Sequence, residues 1–270
     1  MMNNPKLTEY KLGASVRAFS TTRHGGVSEG NYGEMNINRY CGDDEAHIAM
    51  NRQLLADTLA ITPDHILMPH QTHSDEVRQI AADFLQLPAQ IQQMVLEGVD
   101  AVMTDLSGIC IGISTADCIP ILLYDAEHHA VCAIHSGWRG TVKRILEKTL
   151  VSMQMTYHTN LQQLQAVIGP GISLEHFEVG DEVYKEFASA NFPLNDLARQ
   201  YPNSQSDAAQ PLKWHIDLPG ANKYLMESLG VPVTNIQMSG ICTYSRSDDY
   251  FSARRLGIDS GRIFTGILLQ

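Results

Sequence analysis

Between Cys110 and Ile134 three short apolar runs follow one another almost without a break: Cys110–Ser114, Pro120–Tyr124 and Ala130–Ile134. Each has the length of a strand, and the link Asp125–His129 is hairpin-sized. A strand with one wet face alternates polar and apolar residues; these do not, which predicts burial on both faces. A chain with such a centre must supply covering layers on either side.

The flanking sequence offers them. Val16–Ser20 reads as a strand running into the Gly-rich turn Thr22–Ser28. Asp43 or Asp44 caps a helix to about Ala60, with Leu54, Leu55 and Leu59 toward the core, and Pro63 and Asp64 mark its end. Short strands are predicted at Ile66–Met68 and Glu76–Ile80. A helix from Trp138 to about Thr156 carries Val142, Ile145, Leu146, Thr149, Leu150 and Met153 as an apolar stripe. A strand at Ala166–Ile168, a helix near Val179–Ala190 and a polar loop from Asn191 to Leu212 follow. The end reads as strand 213–217, helix 219–229, strand 235–241 and strand Ile263–Leu269. The loop is long for a compact domain, which favours a variable insertion over a lid. Irregular interleaving with no linker predicts one α+β domain over residues 1–270.

Composition excludes several classes. The chain has 270 residues, 44% hydrophobic and 18% charged, with a net charge of 19 − 30 = −11. That is enough to build a core and argues against wholesale disorder. A negative surface repels nucleic acid and anionic lipid, so neither is an expected partner. A small anionic substrate needs only a local arginine cluster. No run of about 18 apolar residues predicts a membrane span, and Met1–Leu12 lacks the apolar centre of a secretory signal. The five cysteines, Cys41, Cys110, Cys118, Cys132 and Cys242, are odd in number with no CxxC pair. That argues against a disulfide framework and for a reduced, cytoplasmic setting.

Three segments place polar residues beside apolar strands: Pro69–Ser74, Ser114–Pro120 and Ile134–Gly140. His73, Cys118 and His135 within them are donors of the kind zinc prefers. Three ligands leave a fourth coordination position open, the pattern of a catalytic ion that lowers the pKa of water. His70, three residues before His73, ranks below this trio. The same residues also read without a metal, Cys118 as thiolate nucleophile, His135 as its base and Asp117 as the orienting or acid group. A third reading makes Cys118 a small buried hydrophobe, the histidines ordinary and Asp117 a turn cap. Spacings of 45 and 17 residues do not decide among them. Arg23, Arg139 and Arg254, beside glycines or aromatic residues, are candidates for an anion pocket.

Together the stretches "STTRHGGVSEGNYGEMNIN", "HQTHSDEV", "DAVMTDLSGICIGISTADCIPILLYD", "AVCAIHSGWRGTVKRI", "VIGPGISLEHFEVGDEV" and "CTYSRSDDYFSARR" resemble the polyphenol-oxidase or laccase-domain family. Its members are also described as purine nucleoside phosphorylases and, for some, peptidoglycan editing factors. The resemblance spans Ser20 to Arg255. It implies a layered α/β/β/α fold with mixed sheets and a zinc site on His73, Cys118 and His135. It implies phosphorolysis of adenosine, inosine, guanosine and methylthioadenosine, with adenosine deamination. Arg23, Asn36, Gln71, Arg139 and Arg254 are the substrate-binding candidates, and Asp117 the proton shuttle. Rivals are a cell-wall precursor hydrolase using Cys118 and His135 or the same metal, and a copper-dependent polyphenol oxidase. The second is the weaker, since the chain has no His-x-His pairs, though copper can substitute for zinc. The chain departs from the family at Gly171, where some members have cysteine, at Arg39 and Tyr40, and over Ser245–Asp249. Oligomeric state is not legible.

Overall fold

The apolar runs lie at the heart of two stacked sheets in a computed structural model that describes residues 4–204 and 211–270. In chain order the first half holds β1 (Leu7–Tyr10), β2 (Val16–Thr21), α1 (Glu45–Leu59), β3 (Ile66–Leu67), β4 (Val77–Gln79), α2 (Ala89–Val95), β5 (Ala101–Thr104), β6 (Cys110–Thr115), β7 (Ile119–Asp125) and β8 (Ala130–Ser136). The second half holds α3 (Trp138–Val142), α4 (Ile145–Tyr157), β9 (Gln165–Ile168), β10 (Glu178–Val179), α5 (Asp181–Ser189), α6 (Leu194–Leu197), β11 (Ala198–Pro202), β12 (Leu212–Ile216), α7 (Leu218–Ser228), β13 (Ile236–Met238), α8 (Ala253–Leu256) and β14 (Ile263–Leu269).

One sheet has the order β1-β2-β14-β6-β3, the other β13-β9-β7-β8-β5-β4, and a small third β10-β12-β11. Both large sheets are mixed: β3 runs parallel to β6, and β13 and β4 run parallel to β9 and β5. Ala18, Ile111, Ile113 and Ile267 of the first sheet share one core with Val102, Leu122, Val131 and Ala133 of the second. The outer face of the first sheet, Phe19, Phe264 and Leu268, packs on Leu55 and Leu59 of α1. The outer face of the second, Ile121, Leu123 and Ile134, packs on Leu146 and Leu150 of α4 and Leu225 of α7. The layers are therefore helix, sheet, sheet, helix. Every residue of β5 to β8 is buried, which is why their sequence lacks alternation. Each such Ile, Leu or Val contributes roughly 1.5–3 kcal/mol of transfer free energy.

The structure corrects several boundaries. β6 does not pair with β7; after Thr115 the chain turns through Asp117 (φ 86°) and crosses to the other sheet. The helix expected over Trp138–Thr156 is two. Arg144 breaks it in left-handed backbone (φ 61°), its guanidinium donating to the Ala190 carbonyl at 2.8 Å and lying over the Phe192 ring. The apolar stripe runs on across the break, so periodicity alone could not show it. The loop expected over Asn191–Leu212 contains α6 and β11, the latter paired antiparallel with β12. Residues 205–210 of that expected loop lie outside the described residues, as do Met1–Asn3. Strand β5 and helix α2 had no expectation: one is four residues long, the other carries a Gln-rich sequence without an apolar stripe.

Candidate metal centre

The crossing between the sheets assembles the site. Antiparallel register pairs Pro120 of β7 with His135 of β8, so Cys118, two residues before Pro120, arrives at the same end. His73 comes from the segment after β3, in left-handed backbone (φ 59°) that turns its side chain back over this end. Cys118 Sγ lies 3.8 Å from His73 Nε2. The ligand atoms of His73, Cys118 and His135 all lie within 4.8 Å of one another. No other group of three His, Cys, Asp or Glu side chains converges in this way among the described residues. Tetrahedral zinc with one sulfur and two nitrogens needs separations of roughly 3.3–3.6 Å, so the trio is close to closing on an ion. His73 is exposed, Cys118 half-buried and His135 buried, which leaves one side open.

The unforeseen member is Asp100. It is buried and accepts a 2.5 Å hydrogen bond from His135 Nδ1. It also accepts from the backbone N–H of Thr72, His73 and Ser74 and from the Ser74 hydroxyl. One carboxylate thus clamps the His73 segment to β8 and takes up His135 Nδ1, which leaves Nε2 as the nitrogen that an ion would use. Burial acts to raise the Asp100 carboxyl, but its bonds to His135 and Ser74 and the His135 charge outweigh it and hold the group below the usual carboxylate range. Burial acts to raise the Cys118 thiol too; the charge and hydrogen bonds of His135, then His73, outweigh it and bring it down. At His135 burial acts to lower the imidazole, and Cys118 and Asp100 reverse that and raise it. The trio favours a thiolate, the form a metal takes. Asp100 was signalled only by its position, a lone acid directly before the apolar strand β5.

Gly137 gives the site its room. A Cβ there would lie 2.9 Å from Cys118 Sγ and 3.0 Å from His73 Cδ2. The trio opens on a cavity of about 220 Å³ whose walls include Tyr40, His70, Gln71, Ser114 and Arg262.

Of the other expected residues, Gln71 lines this cavity, but its amide is committed to the Ser114 backbone, accepting from N at 2.7 Å and donating to O at 2.8 Å. Asn36 is buried behind it, donating to Asp43 and accepting from the Arg262 backbone. Arg23 donates to the carbonyls of Gly33 and Ser247. Arg139 lies over Trp138, and Arg254 over Phe177, donating to the His176 and Glu178 carbonyls. None of these three arginines, nor Asn36, is among the cavity's walls. Arg262, unforeseen, is. Its guanidinium is held by the carbonyls of Ser260, Gly261 and Ile258, and no carboxylate among the described residues pairs with it. Asp117 is not the group that orients His135; Asp100 is. Both Asp117 oxygens are already occupied, one by the Thr243 hydroxyl at 2.6 Å and one by the Arg254 backbone N–H at 2.7 Å.

Known proteins align along almost the whole chain. A purine nucleoside phosphorylase of Bacteroides thetaiotaomicron is 41% identical over 270 residues, covering 100% of this chain and 96% of that protein. Adenosine deaminase RL5, from an unknown prokaryotic organism, is 42% identical over 267 residues, covering 99% of each. The crystal structure of YlmD from Geobacillus stearothermophilus superimposes with a TM-score of 0.86 at 28% identity, over 97% of this chain and 94% of that one. No helix of the described residues is long and apolar enough to cross a membrane. Residues 17–270 match the family described as multi-copper polyphenol oxidoreductase laccase, and with this fold and these relatives the chain belongs to that family.

Proposed function

We propose that this chain is a zinc-dependent purine nucleoside phosphorylase with adenosine deaminase activity. The observation that carries the reading is the His73–Cys118–His135 trio, open on one side to a cavity lined by Arg262, which has no carboxylate partner among the described residues. The names of the 41% and 42% identical relatives supply the substrate class. Adenosine, inosine, guanosine and methylthioadenosine, with phosphate, are the expected substrates.

Zinc held by His73, Cys118 and His135 would supply a Lewis acid at the open corner. Asp100 keeps the His135 lone pair aimed there and holds the His73 segment in place. Arg262, with its guanidinium braced by carbonyls, presents positive charge to a phosphate in the cavity of an otherwise acidic protein. Gly137 leaves space over the trio. The free cysteines, and a thiolate ligand above all, fit a reducing compartment such as the cytoplasm. A multicopper oxidase needs several copper sites; one converging trio among the described residues supports a single ion, for which copper is a substitute in a copper-rich medium.

The test is metal analysis of purified protein with an assay of inosine plus phosphate. Stoichiometric zinc and phosphate-dependent release of hypoxanthine are expected. Zinc without phosphate-dependent release sinks the reading. A second reading rests on the Cys118–His135–Asp100 chain, which has the composition of a thiol hydrolase triad. It makes the protein a hydrolase of cell-wall precursors, and amide cleavage of a muramyl-serine precursor by metal-free protein is its test.

A further inference from the structure

The reaction just proposed needs a proton for the departing purine, and Asp117 cannot give it. The lining of the same cavity carries another candidate, His70. His70 donates from Nδ1 to both oxygens of Glu97, at 2.8 and 2.9 Å. Its ring stacks on Tyr40, centroids 4.0 Å apart and planes within 19°. Its backbone is pinned as well: His70 N–H donates to the Leu96 carbonyl, and Gly98 N–H donates to the His70 carbonyl, both at 3.0 Å. Surface histidines that merely pair with a carboxylate keep their rotational freedom. This one is fixed by a bidentate acceptor, a stacked ring and two backbone bonds. His70 does not join the metal trio. With Nδ1 spent on Glu97, Nε2 has no hydrogen-bond partner among the described residues, and the residue lines the cavity onto which the trio opens. The side chain is 34% exposed, so it can exchange protons with solvent.

We propose that His70, oriented by Glu97 and Tyr40, is the general acid that protonates the purine as it leaves; this rests on the phosphorylase reading above. A phosphate oxygen forms the bond to C1′ while the C1′–N9 bond breaks. The electron pair passes into the purine, and the proton on His70 Nε2 goes to N7, so the base departs neutral. His70 recovers a proton from solvent, balanced by the one that the new sugar phosphate releases. A positioned acid of this kind contributes about 10²–10⁴-fold, and histidine suits the task near neutral pH.

The experiment compares inosine with 7-methylguanosine, whose purine already carries the positive charge and needs no proton to leave. His70→Asn should lower kcat on inosine by about 100-fold, leave 7-methylguanosine within about threefold, and keep the zinc content of wild type. Added imidazole should restore part of the inosine rate in His70→Ala. In metal-free wild type the His70 ring resonances, assigned by their loss in His70→Asn, should move on titration with hypoxanthine. An equal loss on both nucleosides at full zinc content overturns the proposal, as do resonances that stay still. If wild type cleaves neither nucleoside, the phosphorylase reading has failed, a result distinct from the failure of His70 as its acid.

Discussion

Gly137 is where a single hydrogen atom decides whether the trio can meet. Adding a methyl group sets carbon 2.9 Å from Cys118 Sγ and 3.0 Å from His73 Cδ2, so the two ligands would have to move apart from their present positions. Gly137→Ala is expected to fold with wild-type circular dichroism and to lose stoichiometric zinc; a full equivalent in the purified variant would refute this. Asp100 acts one step further out. Replacing it with asparagine should weaken zinc binding by about 10–100-fold, the range for outer partners of ligating histidines. A chelator-competition titration checks it, and unchanged affinity would show that the clamp is decorative. The thiols separate by environment. His135 and His73 bring Cys118 down against its burial, whereas burial alone pushes Cys132 up, and at Cys110 burial outweighs Arg52 and Arg17 and drives the thiol up to about 12. Thiolate is the reactive form. Metal-free protein should therefore be alkylated by iodoacetamide at Cys118 at neutral pH. The rate should rise through a midpoint below that of an ordinary thiol, and Cys110 and Cys132 should react only on unfolding. Peptide mapping that finds Cys110 labelled first in native protein would contradict this.

At the scale of elements, the turn between β6 and β7 is held from outside by α8 and the segment before it. Asp117 accepts from the Thr243 hydroxyl and the Arg254 N–H, and its left-handed backbone sets up the crossing. Asp117→Ala leaves the buried Thr243 hydroxyl and the part-buried Arg254 N–H unpaired and keeps the backbone strain. A loss of about 1–3 kcal/mol is expected from the unpaired groups, read as a lower urea midpoint with unchanged slope. A midpoint within error of wild type would mean that the tie does not bear on stability. This turn also marks the limit of sequence reading. β7 and β8 were legible because a hairpin link joins two runs without alternation. The departure of β6 to the other sheet was not, because its apolar run looks the same whichever sheet receives it. The same holds for the site. Cys118, His135 and His73 stand in unusual polar motifs beside strands and could be singled out. Asp100 stands alone before β5, 35 residues from the histidine it holds, and nothing local tells a buried acceptor from a cap. Arg23, Arg139 and Arg254 looked like an anion pocket because they neighbour glycines and aromatics. Backbone carbonyls and rings take up Arg23 and Arg254, and Arg139 lies over Trp138. Arg262 stands between Gly261 and Phe264 and carries the same mark, so neighbours of this kind do not tell an arginine of the cavity from one spent elsewhere.

At the scale of the molecule, the trio spans the seam of the sandwich. His73 follows β3 of one sheet, His135 lies on β8 of the other, and Cys118 sits on the chain that crosses between them. An ion shared by all three would tie the sheets together at one end, where otherwise Asp100 and the apolar core do so. Binding to the native state alone stabilises it by RT ln(1 + [L]/Kd), about 2.7 kcal/mol at a free zinc concentration one hundred times Kd. For a chain of this size that corresponds to a rise in Tm of roughly 5–10 °C. Thermal melts of metal-stripped protein, with and without added zinc, should show that rise. His73→Ala should abolish most of it, because a two-ligand remnant no longer reaches across the seam. An equal rise in His73→Ala would place the stabilising ion elsewhere, and the bridging geometry would lose its energetic support. No change in wild type would mean that the trio does not hold zinc at all. The two outcomes separate the location of the metal from its presence.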